Sequence, residues 1–375
     1  MSSRRHFLKL LGASTGLGGL SALGITATFA GSAKAQAPAG WRMPDEHARQ
    51  ERIVLAFAAS ERVWGGSAAA VNDCIAQLAR TIARYQPVTV LCRPAQETLA
   101  RSRCGTHNID YLPVALDDVW VRDYGGCFVV DGQGGLGLAD FNFNGWGNKQ
   151  RASQDTAVAE VLAEEMGARL IGSHLVGEGG GIEVDGHGTA ILTESCWVNR
   201  NRNPGLSRAQ IEAELRARLG LRKVIWLPGI KGHDITDAHV DFYARFVRPG
   251  VVIANLDNDP ESYDYEVTRT HLALLRSATD ADGRALQVHT LPPPLEGRRN
   301  VHTQGNPDLA RGYINYLPVN GAVIAPQFGD ADADGYCRDL LTRLYPGRVI
   351  EQLDIDPIAG GGGGIHCVSK NVPLV

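Results

Sequence analysis

Beyond residue 35 the sequence has no long run of apolar residues. No later segment approaches the roughly 18 uninterrupted apolar residues of a membrane-spanning helix, so we expect no such helix in the rest of the chain. An excess of positive charge is also lacking, because the formal net charge at pH 7 is −4. This balance disfavours a nucleic-acid partner and is compatible with a cationic substrate.

Clusters of metal-ligating residues at short spacing are missing as well. Structural zinc sites usually bring several Cys and His residues together within a few positions. Most of the seven cysteines are isolated and are interpreted as core residues. They include Cys74, Cys92, Cys104, Cys127, Cys196 and Cys337. No stretch resembles a linker, so residues 36–375 are predicted to form a single domain.

The first 35 residues have a composition of their own. The pair Arg4-Arg5 is followed by Phe7-Leu8-Lys9, then by a mildly apolar stretch over residues 10–30 and the small-residue site Ala33-Lys34-Ala35. This order is typical of a twin-arginine signal peptide, which predicts export to the periplasm. An N-terminal membrane anchor is the alternative. Residues 1–35 contain four basic residues and no acidic ones, so their removal would change the formal net charge of the chain from −4 to −8.

Short apolar stretches alternate with single amphipathic stretches, which predicts an α/β fold. Ser207 and Gln210 form a capping-box pattern at the start of one helix, and Gly220 can end it. Two or three strands for each helix suggest repeated small sheet-plus-helix units. Helices are predicted over residues 67–85, 153–166, 207–219, 263–278 and 334–344. Strands are predicted over residues 52–57, 88–92, 127–130, 139–143, 190–193, 224–227, 242–247, 251–255, 286–291, 314–317, 322–325 and 349–353.

Four polar, glycine-rich segments are not explained by packing. The last contains five consecutive glycines and ends in Ile365-His366-Cys367. Such a run loses much conformational freedom on folding, so it indicates a tight turn or a backbone that lies against a ligand. If His239 and Asp241 begin a strand, their spacing places both side chains on one face. The four segments are residues 117–126, 177–186, 233–241 and 360–367.

A guanidinium substrate accounts for one Cys, one His and several acids in these segments. Its planar cation presents forked N–H donors that pair with carboxylates. Two acids can hold the fork while a thiolate attacks the central carbon, and a histidine can transfer protons. Zinc would find only His233 and His239 at short spacing, and a cysteine protease would leave the additional acids without a role.

The order of motifs over nearly the whole mature chain resembles agmatine deiminases, within the Porphyromonas-type peptidylarginine deiminase group of guanidine-modifying enzymes. The stretch Tyr124-Gly125-Gly126 is closer to the peptidylarginine deiminases. The resemblance is carried by residues 43–44, 116–123, 143–149, 178–180, 185–189, 199–207, 236–241, 320–321 and 361–367. It implies a five-bladed α/β propeller, a pentein, built of ββαβ-type units with pseudo-fivefold symmetry.

The same resemblance implies roles for individual residues. Cys367 corresponds to the nucleophile and His239 to the general acid/base. Asp123 and Asp241 correspond to the carboxylates that hold the guanidinium, and Glu178 to the acid that orients the histidine.

Four further residues are predicted to contact the substrate. Trp120 and Trp146 are expected to line its aliphatic stem. The adjacent acids Asp117 and Asp118 offer an acidic cavity mouth, which would favour agmatine over arginine because arginine has a carboxylate.

These observations predict a periplasmic deiminase that converts agmatine to N-carbamoylputrescine and ammonia through a covalent Cys thiouronium. No metal, organic cofactor, nucleic acid or membrane partner beyond export is expected. The alternatives are deimination of peptidyl-arginine to citrulline, a non-catalytic protein that binds guanidino compounds, and a metal-dependent amidohydrolase. The oligomeric state is left open.

Overall fold

A computed structural model describes residues 40–375 of the protein. The predicted signal peptide, residues 1–35, lies outside the described residues. Within the described part the strands gather in five small sheets. The strands are β1 (Gln50–Phe57), β2 (Val88–Cys92), β3 (Ile109–Pro113), β4 (Cys127–Val130), β5 (Leu136–Asp140), β6 (Arg169–Gly172), β7 (Glu183–Val184), β8 (Thr189–Thr193), β9 (Lys223–Leu227), β10 (Ala244–Arg248), β11 (Val251–Asn255), β12 (Gln287–Leu291), β13 (Leu317–Val319), β14 (Ala322–Gln327), β15 (Val349–Asp354) and β16 (Ser369–Pro373).

One pattern of pairing recurs in all five sheets. An antiparallel pair is followed by a helix, and the helix leads to a third strand that runs parallel to the second. In the second sheet β4 pairs antiparallel with β5, and β5 runs parallel to β6. In the first sheet the antiparallel partner of β1 is β16, from the far end of the chain, and β3 adds a fourth strand. Five small sheets therefore fit five repeated units.

The five predicted helices are present with small shifts at their ends. The capping box of Ser207 and Gln210 forms as predicted, and Gly220 ends that helix in the left-handed conformation. The structure adds a helix over Glu97–Cys104 that was not predicted. The other helices of eight residues or more are Ala68–Ile82, Val158–Glu165, Arg208–Leu219, Tyr265–Ser277 and Ala331–Leu344. None of the helices in residues 40–375 is long and apolar enough to cross a membrane.

Most predicted strands are present, and four additional strands are β3, β6, β7 and β16. The strand predicted over residues 314–317 begins only at Leu317, because Asn315 lies in the preceding loop. The strand predicted over residues 242–247 begins at Ala244. The condition that His239 and Asp241 begin this strand is therefore not met, and strand spacing does not align their side chains. Both residues lie on a short turn that ends in a 3₁₀ helix over Val240–Phe242.

Candidate active site

The glycine run packs its backbone directly against two indole rings. A β-carbon on Gly361 would lie 2.2 Å from the ring of Trp64, and one on Gly363 would lie 2.2 Å from the ring of Trp120. Because non-bonded carbon atoms do not approach this closely, only glycine permits the contact. The run leads to Cys367, which lines a cavity together with Trp120 and Asp123.

A turn of unusual backbone conformation positions His239. The two preceding residues, Asp237 and Ala238, have φ angles of 60° and 71°, which non-glycine residues rarely adopt. The carboxylate of Asp237 pairs with Arg202 at 2.8 Å and with Lys149 at 2.8 Å. These ion pairs hold the turn in place, as expected where strain is kept at a functional site. The side chain of His239 is buried.

Glu178 joins His239 to Arg202. Oε2 of Glu178 lies 3.2 Å from Nε2 of His239, while Nε of Arg202 donates to both carboxylate oxygens at 2.8 and 2.9 Å. Burial alone would raise the pKa of Glu178, but the charges of Arg202 and His239 hold that pKa below its usual value. Glu178 is therefore an ionised acceptor that fixes the orientation of the imidazole.

Asp123 faces the other nitrogen of His239. Its Oδ1 lies 3.6 Å from Nδ1 of His239 and accepts a hydrogen bond from the Gly180 amide at 2.9 Å. Its Oδ2 accepts a hydrogen bond from the indole of Trp146 at 2.8 Å. Trp146 has a φ of 56°, so a left-handed backbone turns this ring toward the acid. The hydrogen bonds leave the Asp123 carboxylate in a fixed position on the cavity wall.

Gly180 allows three functional side chains to converge. A β-carbon at this position would lie 2.6 Å from Nδ1 of His239, 2.8 Å from Oδ1 of Asp123 and 3.2 Å from Oδ2 of Asp241. Any side chain here would push at least one of these groups away. Glycine is therefore required by the close approach.

Asp241 lies beside Cys367, behind the cavity wall. Its Oδ2 is 3.5 Å from Sγ of Cys367 and 2.7 Å from Nδ1 of His366. Its Oδ1 is buried and has no hydrogen-bond partner among residues 40–375. Burial would raise the pKa of Asp241, but the contact with His366 holds it below its usual value. One oxygen of Asp241 thus contacts both the thiol and His366, while the other is buried with its lone pairs available to accept a hydrogen bond.

The thiol and the imidazole favour their protonated forms. Burial, together with the charges of Asp241 and Asp123, raises the pKa of Cys367 well above its usual value. Burial opposes a charge on His239, yet Asp123 and Glu178 keep the pKa of His239 well above its usual value. A cation bound between the two aspartates would offset the charges that oppose the thiolate. The site therefore suits a cationic ligand attacked by sulfur.

The cavity has a volume of about 310 Å³ and is lined by several of the predicted residues. Asp241 and Glu178 lie behind this wall. The predicted residues on the wall are Trp120, Asp123, Trp146, His239 and Cys367. The rest of the wall carries four acids and one base, which are Asp234, Asp257, Asp259, Asp264 and Arg311. Negative charge therefore predominates along it.

Asp117 and Asp118 are buried away from the wall, so the acidic mouth predicted from them is not formed by these residues. Asp118 accepts hydrogen bonds from the indoles of Trp64 at 2.6 Å and Trp120 at 3.0 Å. Asp117 pairs with Arg62 at 3.0 Å. Asp118 therefore supports the two tryptophans, and neither acid forms the opening of the cavity.

Two residues near the reactive groups were not singled out from the sequence. Nδ2 of Asn315 lies 3.4 Å from Sγ of Cys367, and its Oδ1 accepts the His366 amide at 3.0 Å. Asn315 lies in an apolar stretch, residues 314–317, whose pattern predicts a strand and gives no sign of a functional residue. Arg202 lies in the motif over residues 199–207, but nothing in the sequence pairs it with Glu178.

Glu178, Cys196 and His239 place three potential metal ligands within 4.8 Å of one another. The guanidinium of Arg202 already donates to both oxygens of Glu178. Burial raises the pKa of the Cys196 thiol, which disfavours the thiolate that zinc would need. The ion pair between Glu178 and Arg202 explains how Glu178 is held next to His239.

Comparisons with known proteins agree with this geometry. Residues 42–373 match the Porphyromonas-type peptidyl-arginine deiminase family. An agmatine deiminase of Stutzerimonas stutzeri (strain A1501) is 38% identical over 353 residues, covering 89% of this chain and 96% of the relative. The structure of an agmatine deiminase of Enterococcus faecalis is 30% identical with a TM-score of 0.83, covering 89% of this chain and 96% of that chain. A Cys-to-Ser variant of a C. jejuni agmatine deiminase with substrate bound is 25% identical with a TM-score of 0.79, covering 88% of this chain and 96% of that chain.

The fold and the site define the class of protein as a hydrolase that acts on guanidino C–N bonds. Within that class, the chain belongs to the Porphyromonas-type peptidyl-arginine deiminase family. The resemblance seen in the sequence motifs is thereby confirmed.

The charges around the thiol predict a preference of Cys367 for cationic reagents. We expect 2-chloroacetamidine to alkylate Cys367 faster than neutral 2-chloroacetamide, after correction for their rates with a free thiol. If the bound cation lowers the thiol pKa by one unit, the thiolate fraction, and with it this advantage, rises about tenfold. Mass spectrometry of peptides at pH 7 measures both rates. Equal corrected rates, or first labelling of another cysteine, would contradict the expectation.

Proposed function

We propose that the protein hydrolyses agmatine to N-carbamoylputrescine and ammonia through a covalent intermediate on Cys367. The observation that carries the proposal is the shared cavity of Cys367, His239 and Asp123, with Asp241 and Glu178 directly behind it. This set contains a nucleophile, a proton carrier with its orienting acid, and two further carboxylates. A guanidinium uses all of them.

Binding places the guanidinium between Asp123 and Asp241. Both are ordered by neighbouring donors, Asp123 by Trp146 and Gly180, and Asp241 by His366. The carboxylate of Asp241, whose Oδ1 has no partner among residues 40–375, accepts an N–H of the substrate. The cation also offsets the negative charges that disfavour ionisation of the thiol.

In the first half of the reaction the Cys367 thiolate attacks the guanidinium carbon. The C–N bond to one terminal nitrogen breaks as the His239 imidazolium donates a proton, so ammonia leaves and an S-alkylthiouronium remains on Cys367. The nearby amide of Asn315 donates toward the sulfur at 3.4 Å and favours the thiolate.

In the second half His239, now neutral, takes a proton from water, and the resulting hydroxide attacks the thiouronium carbon. As the C–S bond breaks, the hydroxyl proton of the adduct passes to solvent, which returns the Cys367 thiolate and releases the neutral ureido product, with His239 left protonated for the next turnover. One water is consumed and one ammonia is formed for each turnover. Glu178 keeps the imidazole in place through both proton transfers.

The charge of the cavity wall supports agmatine as the substrate. Four acids, Asp234, Asp257, Asp259 and Asp264, lie on the wall with one base, Arg311. The ammonium end of agmatine is attracted to such a surface, whereas the carboxylate of free arginine is repelled. The agmatine deiminases of similar sequence and structure support the same choice.

Two observations favour peptidyl-arginine as the alternative substrate. The family is that of peptidyl-arginine deiminases. Arg311 also lies on the wall, where it could meet a carbonyl or carboxylate group.

We also propose that the five units surround a pseudo-fivefold axis as the blades of a propeller. The pairing of β16 with β1 supports this arrangement, since it joins the two ends of the described chain.

The first test compares ammonia release from agmatine, free arginine and a blocked arginine peptide. We expect agmatine to have the highest kcat/KM, and Cys367→Ser to lower kcat by at least about 10³-fold because the nucleophile is lost. Calorimetry with Cys367→Ser should still detect agmatine binding. A higher kcat/KM for the peptide would overturn the choice of agmatine, and substantial activity of the serine variant would overturn the role of Cys367. Binding without turnover by the wild type would indicate a non-catalytic protein.

A second test concerns the acids of the wall. Asp259 is exposed on the cavity wall, so Asp259→Asn should reduce the preference for agmatine over arginine by about two- to fivefold, as expected for an exposed charge. The reduction caused by Asp259→Asn should be larger at low ionic strength, where the charge of Asp259 is screened less. Asp339→Asn, an exposed acid away from the wall, is the matched control. An unchanged substrate ratio in Asp259→Asn would exclude a role for this acid in substrate choice.

We propose further that residues 1–35 direct export through the twin-arginine pathway. The support is the sequence pattern around Arg4 and Arg5. A fusion of residues 1–35 to a green fluorescent protein should deliver fluorescence to the periplasm, and the same fusion with Arg4→Lys and Arg5→Lys should not. Cell fractionation measures the difference. Cytoplasmic retention of the unaltered fusion would contradict the proposal.

A further inference from the structure

His366 lies between two carboxylates on the side of Cys367 away from the cavity. Its Nδ1 is 2.7 Å from Oδ2 of Asp241, and its Nε2 is 2.9 Å from Oε1 of Glu46. The ring is 1% exposed and does not line the cavity. Both ring nitrogens are occupied by carboxylates, so His366 can act on the substrate only through Asp241, the acid that is proposed to bind it.

The contact with His366 engages only one oxygen of Asp241. The other oxygen, Oδ1, is buried without a partner in the described part of the chain. A carboxylate that can rotate about its terminal bond exchanges its two oxygens, and that torsion is broad and roughly two-fold. A strong donor at one oxygen removes this freedom. His366 thus fixes the rotation of the carboxylate, with Oδ2 beside the thiol and Oδ1 left without a partner among the described residues.

Glu46 holds His366 in turn and ties it to two arginines. Oε1 of Glu46 lies 2.6 Å from Nη1 of Arg122, and Oε2 lies 2.7 Å from Nη2 of Arg245. Arg122 precedes Asp123 directly, and Arg245 follows Asp241 by four residues. Burial alone would raise the pKa of Glu46, but Arg122, His366 and Arg245 hold it well below its usual value. The ionised carboxylate therefore joins the segments that carry the reactive groups.

We infer that His366 is a positioning residue that clamps Asp241 through Nδ1 and holds that carboxylate in the orientation that binds the guanidinium. The inference rests on the proposed deimination. The two ring nitrogens of His366 then have different functions. The Nδ1 contact orients Asp241 at the substrate site, and the Nε2 contact holds Glu46 with its two arginines. Loss of the first should impair agmatine turnover, and loss of the second should mainly affect stability.

Two amide variants separate these contacts. The side-chain amide of Asn can take the place of Nδ1, so His366→Asn can still donate to Asp241. The amide of Gln reaches the place of Nε2, so His366→Gln can keep the contact with Glu46 and loses the one with Asp241. Leaving a buried acceptor without its donor should lower kcat/KM for agmatine by about 10- to 100-fold more in His366→Gln than in His366→Asn. KM should rise in His366→Gln, since the guanidinium is held less well.

Steady-state ammonia release and thermal unfolding of each variant measure the two effects. His289→Asn and His289→Gln serve as matched controls, because His289 lies on β12 away from the cavity, and their kinetics should equal each other. If His366→Gln does not fold, His366→Met, of similar length and without a donor, replaces it. The ratio of Cys367 alkylation by 2-chloroacetamidine and 2-chloroacetamide gives a second readout that does not require turnover, and it should fall in His366→Gln.

Equal kcat/KM values for His366→Asn and His366→Gln, or a higher value for His366→Gln, would overturn the inference. The inference would also be overturned if the activities of the variants simply decreased with their unfolding temperatures, because His366 would then have only a structural role. Failure of the wild type to release ammonia from any guanidino compound would instead refute the proposed function. The recovery of turnover by His366→Asn alone is the result that we expect.

Discussion

Buried acids need buried cations, and this requirement organises the centre of the molecule. Glu178 is paired with Arg202, and Glu183 is paired with Arg245, with all four side chains almost completely buried. Removing one partner of such a pair typically costs about 3–5 kcal/mol, because the remaining charge is left in a medium of low polarity. These ion pairs therefore tie their segments together.

Asp123 and Asp241 are two buried acids of the site that lack such a cation. Within residues 40–375 neither receives a hydrogen bond from an Arg or Lys side chain, although both are buried. Their donors are an indole, a backbone amide and an imidazole, which orient the carboxylates without supplying a permanent cation such as a guanidinium. A cationic ligand completes the charge balance. The requirement that stabilises the fold elsewhere thus favours binding of a guanidinium here.

Close packing around glycine is the second requirement of the site. Gly180 lies among His239, Asp123 and Asp241, and no side chain would fit between them. Gly363, in the glycine run before Cys367, likewise leaves room for the ring of Trp120. These glycines leave room for side chains from distant parts of the chain, and the charge pairs then fix the positions of those side chains.

The sequence by itself determined the α/β class, the five helices and the family, and it predicted the residues of the candidate reactive set, because hydrophobic period, capping and motif order are properties of the sequence. The tertiary structure alone decided which acids line the cavity. Asp117 and Asp118 are buried, with Asp118 bonded to the indoles of Trp64 and Trp120, and other acids, such as Asp259, are on the wall instead. The residues next to a carboxylate in the sequence do not show which distant groups will surround it in the fold. Those distant groups decide whether the carboxylate binds substrate or supports a neighbouring ring.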